Sequence, residues 1–235
     1  MNVARHGQSF ALDGCEADVA LVAESAQFDA WLARMDRRFR IRRIEVQAAD
    51  TRFHGGLLFA KLKADVTDPD GRTIPGSVFL RGDAAAVLIV LRDGPRAWAL
   101  LTVQPRFPVG VFDSVEIPAG MCDNQGDFIG TAAREVQEET GISVRGADLK
   151  LLGEFAPSGG GSDERIQLFL YERDATADEI TSLQGKLTGM HAEHERMHLL
   201  LVPLEELPRH TRDIKALLAY GCYRLWQPRA APQRG

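Results

Sequence analysis

The sequence predicts an α+β protein, with an α/β/α layered domain behind a small helix-plus-sheet unit. Three observations lead there. Strand and helix patterns are mixed along the chain without regular βαβ alternation. Ala84 to Leu91 is one continuous apolar run of strand length. Asp127 to Gly141 reads as a single amphipathic helix, with an acidic start and a glycine where a left-handed stop is wanted.

Residues 1 to 24 show no clear pattern and are expected to be partly irregular. Phe28, Trp31, Leu32 and Met35 then recur at helical spacing within Phe28 to Phe39. Ile41 to Phe53 and Leu57 to Thr67 read as strands, Asp70-Gly71 as a turn, and Ile74 to Leu80 as the returning strand. This front unit ends at residue 81. A hairpin opens the second domain, with Ala84 to Leu91 turning at Asp93-Gly94 into Trp98 to Val103. Val111 to Ile117 is a short strand leading into Pro118-Ala119-Gly120 and the helix. Leu151 to Phe155 and Ile166 to Tyr171 flank a Gly-rich loop, Met197 to Val202 is the last strand, and Ile214 to Trp226 the closing helix. The expected division is therefore 1–81, 82–226 and a Pro/Arg-rich tail, 227–235.

Composition narrows the function classes. At 235 residues, 45% hydrophobic and 26% charged, the chain is an ordinary globular sequence. Its net charge of −5 argues against a nucleic-acid partner. The local run Arg37, Arg38, Arg40, Arg42, Arg43 alternates with Phe39, Ile41 and Ile44, as an outward face at a helix-to-strand junction would. The three cysteines, Cys15, Cys122 and Cys222, are odd in number without paired spacing, which suits a reducing compartment. With no apolar run of spanning length and no secretory or transit pattern, no membrane partner and a cytoplasmic location are expected.

The chemistry concentrates on the 127–141 helix. Ile129, Ala132, Ala133 and Val136 form its expected buried stripe, and Glu135, Glu138 and Glu139 share a neighbouring arc. Glu135 and Glu139 are like charges at i,i+4, opposing the helix by roughly 0.2–0.5 kcal/mol. Glu138 and Glu139 also lie in the last turn, where the helix dipole disfavours anions by about 0.3–1 kcal/mol each. A solvated acidic face is the bland account. A hard divalent cation shared with substrate phosphates would relieve the repulsion, and that favours Mg²⁺, with Mn²⁺ as the substitute.

The stretch Gly120 to Ile142 resembles the Nudix box, G-x5-E-x7-R-E-U-x-E-E-x-G-U with U aliphatic. Gly120, Arg134, Glu135, Val136, Glu138, Glu139, Gly141 and Ile142 match. Gly126 departs, standing where the family has its first Glu, and the adjacent Asp127 is expected to do part of that residue's work. Pro75 to Gly82, Val103 to Gly110 and Glu116 to Gly120 look like the ADP-sugar diphosphatase branch, in particular its plant-type ADP-glucose-hydrolysing form. The similarity covers roughly residues 28 to 206. It implies a Nudix-type sandwich and a homodimer in which residues 28 to 81 help close the substrate site.

The resemblance also assigns roles. Glu135, Glu138 and Glu139 with the main-chain carbonyl of Ala119 would hold Mg²⁺, Glu138 and Glu139 counting as catalytic. Glu164, on the loop Pro157 to Glu164, would be the general base. The bland account there is a surface turn, but Gly159-Gly160-Gly161 points to a lid. Glu193 and Glu195 match a second acidic cluster, or belong to a polar loop. Arg106, and Arg81 unless it is a surface charge, would grip the diphosphate through planar forks. Glu116 and Phe53 would meet adenine, Phe53 being otherwise core. Arg134 would orient the box through Asp127 or Glu138. His191, His194 and His198 have zinc-like spacing, yet carboxylates and a phosphate substrate favour a harder ion.

Two function classes follow. One is Mg²⁺-dependent hydrolysis of ADP-glucose or ADP-ribose to AMP and a sugar 1-phosphate. The other is a catalytically impaired Nudix-fold binding module, motivated by Gly126; hydrolysis of another nucleoside diphosphate or triphosphate derivative is the further alternative. A decayed site would be expected to lose Glu138 or Glu139, and both are present.

Overall fold

In the computed structural model, which describes residues 1–53, 55–122, 127–189 and 197–226, the chain opens with a hairpin where irregular backbone was expected. His6 and Gly7 both have positive φ, 52° and 79°, which suits a two-residue turn between β1 (Asn2–Arg5) and β2 (Gln8–Gly14). The missed signal is alternation: Gln8, Phe10 and Leu12 are buried, and the residues between them are not.

This hairpin belongs to the first of two units, which comprises Met1–Asp83 with two later segments, Cys122–Asp127 and Ala156–Arg165. No single cut along the chain, at residue 81 or elsewhere, separates such a unit. It holds α1 (Glu16–Glu24), α2 (Ala26–Ala33), β3 (Arg40–Thr51), β4 (Leu57–Thr67), β5 (Thr73–Ile74) and β6 (Ser77–Leu80). The sheet runs β1-β2-β3-β4-β5, with β6 also on β4, and β2–β3 is its parallel pair. Ser25 caps α2, its hydroxyl accepting the Phe28 N–H at 3.2 Å. The helix stops short of the expected Phe39, because Asp36 instead accepts the Arg38 N–H at 2.9 Å in an Asx turn. The 74–80 strand is interrupted at Pro75-Gly76. Proline has no N–H to give, and a Cβ on Gly76 would lie 2.1 Å from the Ala64 carbonyl oxygen. Phe10, Leu12, Phe28, Leu32, Ile44, Leu62 and Leu80 build this unit's core. The arginine run is an outward face as read, with Arg38, Arg42 and Arg43 pairing with Asp36, Asp65 and Asp13.

The second unit has its own core. Its strands are β7 (Ala84–Asp93), β8 (Arg96–Arg106), β9 (Val111–Glu116), β10 (Ala119–Met121), β11 (Lys150–Phe155), β12 (Ile166–Asp174), β13 (Leu187–Thr188) and β14 (Met197–Pro203). Among the described residues the sheet runs β11-β12-β7-β8-β14-β13, with β10 on β7 and β9 on β8. β7 pairs parallel with β12 and antiparallel with β8. Its Ala84, Ala86, Leu88 and Val90 share a core with Ala216, Ala219 and Tyr223 of α6 (Ile214–Trp226), and the alternate residues are equally buried. A strand covered on both faces has no use for polar alternation, which is why this run is apolar throughout. The remaining helices are α3 (Phe128–Thr140), α4 (Ala177–Leu183) and α5 (Leu207–His210). Sequence reading missed α4, although Thr176 and Glu179 have capping-box spacing and Thr176 Oγ1 does accept the Glu179 N–H at 3.2 Å. No described helix is long and apolar enough to cross a membrane.

Candidate active site

The box begins on β10, which pairs antiparallel with Ala84–Ala86 of β7. At Gly120 any side chain would displace the Glu135 carboxylate. A Cβ on it would lie 1.9 Å from Oε1 of Glu135, so the carboxylate rests directly against the main chain beside Ala119. Asp127 is exposed and immediately precedes α3; at the other end Gly141, at φ 77°, donates its N–H to the Gln137 carbonyl at 2.9 Å. That is the left-handed stop expected.

The helix is rotated from its expected setting. Phe128, Thr131, Ala132, Val136, Glu139 and Thr140 are buried, while Ile129 is 49% exposed and lies over Gly146, where a Cβ would be 2.6 Å from its Cγ2. Polar residues tolerate the inner face when local bonds satisfy them, as Thr140 Oγ1 does by donating to the Val136 carbonyl at 2.6 Å. Arg134 reaches two carboxylates, Glu135 and Glu138, each at 3.3 Å. Its expected link to Glu138 is present, and the one to Glu135 was not foreseen. This offsets part of the like-charge repulsion. Three carboxylates and a neighbouring carbonyl make a hard oxygen set, and the glycine cradle keeps one carboxylate at the main chain, so the residues fit a divalent cation. Among the described residues no three acidic, His or Cys side chains are already gathered around one point.

Two residues assigned separately to phosphate and to adenine are partners. Arg106 ends β8, Glu116 ends the adjacent β9, and the guanidinium donates to both Glu116 oxygens at 2.8 and 3.0 Å. Lys215 Nζ stands 3.5 Å from Glu116 and 2.8 Å from Asp213. Asp213 caps α6 by accepting the Lys215 N–H at 3.0 Å, and it also accepts the Ile117 N–H at 3.3 Å. Burial alone would raise the Glu116 carboxyl. Hydrogen bonds from Arg106 and the charges of Lys215 and Arg106 outweigh it and hold the group below its ordinary value. Sequence reading missed Lys215, although a cation in the first turn of a helix opposes the dipole and needs a reason.

In the first unit the Gly-rich loop is docked, not a free lid. Phe79 of β6 donates its N–H to the Gly161 carbonyl at 2.7 Å, and Phe79 and Ser162 form a parallel bridge. Glu164 is buried and pairs with Arg81, itself half-buried, at 3.4 Å, so Glu164 is not an incidental acid on a surface turn. The Arg81 guanidinium also lies 5.9 Å from the Phe59 ring centre, within cation–π range. Phe53, at the tip between β3 and β4, is 98% exposed, so its core alternative fails. Asp163 and Arg165, which flank Glu164 in sequence, and their partners Arg34 and Asp83 were not predicted. Arg34 lies 129 positions from Asp163, and no local pattern signals that pairing. Gly126, His191, Glu193, His194, Glu195 and the tail 227–235 lie outside the described residues; His198 is half-buried in β14.

The family model for the NUDIX domain matches residues 81–220. The chain is 38% identical over 223 residues to the chloroplastic Nudix hydrolase 14 of Arabidopsis thaliana, covering 87% of this chain and 72% of that protein. It is 30% identical over 142 residues to the ADP-ribose pyrophosphatase of Bacillus subtilis, covering 60% and 69%. A solved structure described as an ADP compounds hydrolase superposes with a TM-score of 0.57 at 15% identity, covering 82% of this chain and 96% of that one, and so shares the fold.

Proposed function

The chain belongs to the Nudix family, whose hydrolases use divalent metal ions, and on that premise we propose that it cleaves the diphosphate bond of ADP-sugars. ADP-glucose and ADP-ribose are the intended class, with AMP and glucose 1-phosphate or ribose 5-phosphate as the respective products. The observation that carries the reading is the Glu135 carboxylate seated against Gly120, with Glu138 and Glu139 on the same helix. The name of one relative, an ADP-ribose pyrophosphatase, favours an ADP derivative.

When bound through Glu135, Glu138, Glu139 and the Ala119 carbonyl, Mg²⁺ supplies charge neutralisation on the diphosphate and a more acidic water. The protein's residues do the rest. Glu164 accepts the proton of the attacking water. Arg106 and Arg81, each held by a glutamate, offer guanidinium forks to non-bridging oxygens. Glu116 sets the position of Arg106 and, with Phe53, reads adenine. The reading includes a homodimer through residues 28–81, and light scattering that finds a fully active monomer would remove that part.

The test is a panel of ADP-, UDP-, GDP- and CDP-sugars with Mg²⁺ and with Mn²⁺, products identified by chromatography. AMP and the matching sugar phosphate released fastest from ADP-sugars is the expected result. Faster turnover of UDP- or GDP-sugars removes the base assignment, and a panel hydrolysed nowhere restores the impaired-module reading that Gly126 motivates.

A further inference from the structure

Asp163 precedes the proposed base in sequence and is the most deeply held acid in the first unit, its side chain fully buried. One oxygen, Oδ1, accepts two main-chain N–H groups, from Arg81 at 2.7 Å and from Gly82 at 3.2 Å. The other, Oδ2, accepts from Arg34 Nη2 at 3.2 Å, and the same nitrogen donates to the Asp163 carbonyl at 2.7 Å. Arg34 also stands 3.4 Å from Asp83, which Arg165 grips from the far side of Glu164 at 2.5 Å. Residues 163 and 165 are thus both tied down, and 164 is held between them.

We propose that Asp163 is the positioning residue for Glu164: its carboxylate clamps the base-bearing turn to the Arg81-Gly82 main chain, so that Glu164 meets Arg81 in one fixed geometry. The inference rests on Glu164 acting as the base. A loop that carries three consecutive glycines has a wide choice of conformations, and a base must stay within hydrogen-bond reach of its water. A fold-stabilising role alone would not need this arrangement. Burying a carboxylate beside a second acid, Asp83, is a poor way to gain stability, and burial with that neighbour raises the Asp163 carboxyl against its three donors. Its geometry does serve one purpose well, since the clamped N–H groups belong to Arg81, the partner of Glu164, and to its neighbour.

A double-mutant cycle on the full chain tests this, with kcat and KM for ADP-ribose at saturating Mg²⁺ and Tm measured on each variant. Asp163→Ala is expected to lower kcat about 30-fold with KM changed less than about threefold, and to have an under-twofold effect when Glu164 is already Gln. Asp163→Asn keeps an oxygen for both main-chain N–H groups, so it is expected to recover most of that rate. Equal loss from Asp163→Ala with Glu164 intact and with Glu164→Gln overturns the proposal, because a general weakening of the fold acts on both. Should Asp163→Ala not fold, Arg34→Met takes its place in the cycle under the same criterion. Full kcat in Glu164→Gln alone is a different failure: it removes the base assignment, and with it this proposal, before Asp163 is tested.

Discussion

Glu135 and Glu164 are both carboxylates assigned to the reaction, and the chain secures them by opposite means. Glu135 stands on a capped helix, and the one special requirement is local: Gly120 leaves room for it. Glu164 stands on a glycine-rich loop, where one local bond, from its N–H to Ser162 Oγ at 3.2 Å, is joined by several remote ones. Arg34 comes from the end of α2, Arg81 and Gly82 from beyond β6, and Asp83 from the residue before β7. The helix needs a short motif, whereas the loop needs a network of buried charge. This loop replaces backbone regularity with partners the fold brings to it.

The largest effect should come from the helix. Glu138→Gln is expected to lower kcat by roughly three orders of magnitude or more, since on the proposed assignment it would withdraw a ligand from the divalent ion. Its stability should hardly move. Losing the Glu138 pair with Arg134 removes about 0.3–0.5 kcal/mol, and relief at the helix C-terminus returns a similar amount. Wild-type turnover in this variant at saturating Mg²⁺ would break the metal assignment. On the loop side, Glu164→Gln should cost about a hundredfold in kcat with KM little changed, the usual worth of a positioned base. An unchanged kcat there would leave the helix as the whole site.

The same contrast explains what the sequence made legible. Helix α3, the stop at Gly141, and strands β4, β7 and β12 were readable because period, length and glycine position are local properties. The acids of the box were readable for the same reason. Ile129 misled because periodicity counts apolar residues and cannot see that Thr131 and Thr140 tolerate burial. The pairing of Arg106 with Glu116 depends on β8 and β9 being adjacent, and that of Arg34 with Asp163 on two distant segments meeting. Neither leaves a trace in spacing. The opening hairpin was legible in principle, through Gln8, Phe10, Leu12 and the His6-Gly7 turn.

A third outcome sharpens the comparison within the second unit. Arg106→Ala is expected to lower kcat/KM by about tenfold or more for ADP-glucose and ADP-ribose alike, less than losing a fully buried charged partner costs because the Arg106 side chain is partly exposed. Lys215 remains beside Glu116 in that variant, so the buried carboxylate keeps one cation and the fold survives. If only one of the two substrates suffers, Arg106 reads the sugar and not the phosphate.

The smallest effect is a difference of sign between the two buried acids. Glu116 is held below its ordinary 4.5, so its folded-state contribution is present above 4.5 and is lost as pH falls through the depressed value. Asp163 is pushed above its ordinary 3.8 by burial, so its contribution is complete below 3.8 and is lost as pH rises through the raised value. Measured as Tm of variant minus wild type between about pH 3 and pH 7, Glu116→Gln should therefore become less favourable with rising pH and Asp163→Asn more favourable. The slopes should be a few degrees at most for a chain of this length. They differ because Glu116 faces two cations, Arg106 and Lys215, and Asp163 shares its one cation, Arg34, with Asp83. Two slopes of the same sign would mean that Arg34 and the two main-chain N–H groups outweigh burial at Asp163. The loop would then be clamped at no expense in stability, and the contrast between the two carboxylate regions would reduce to backbone regularity alone.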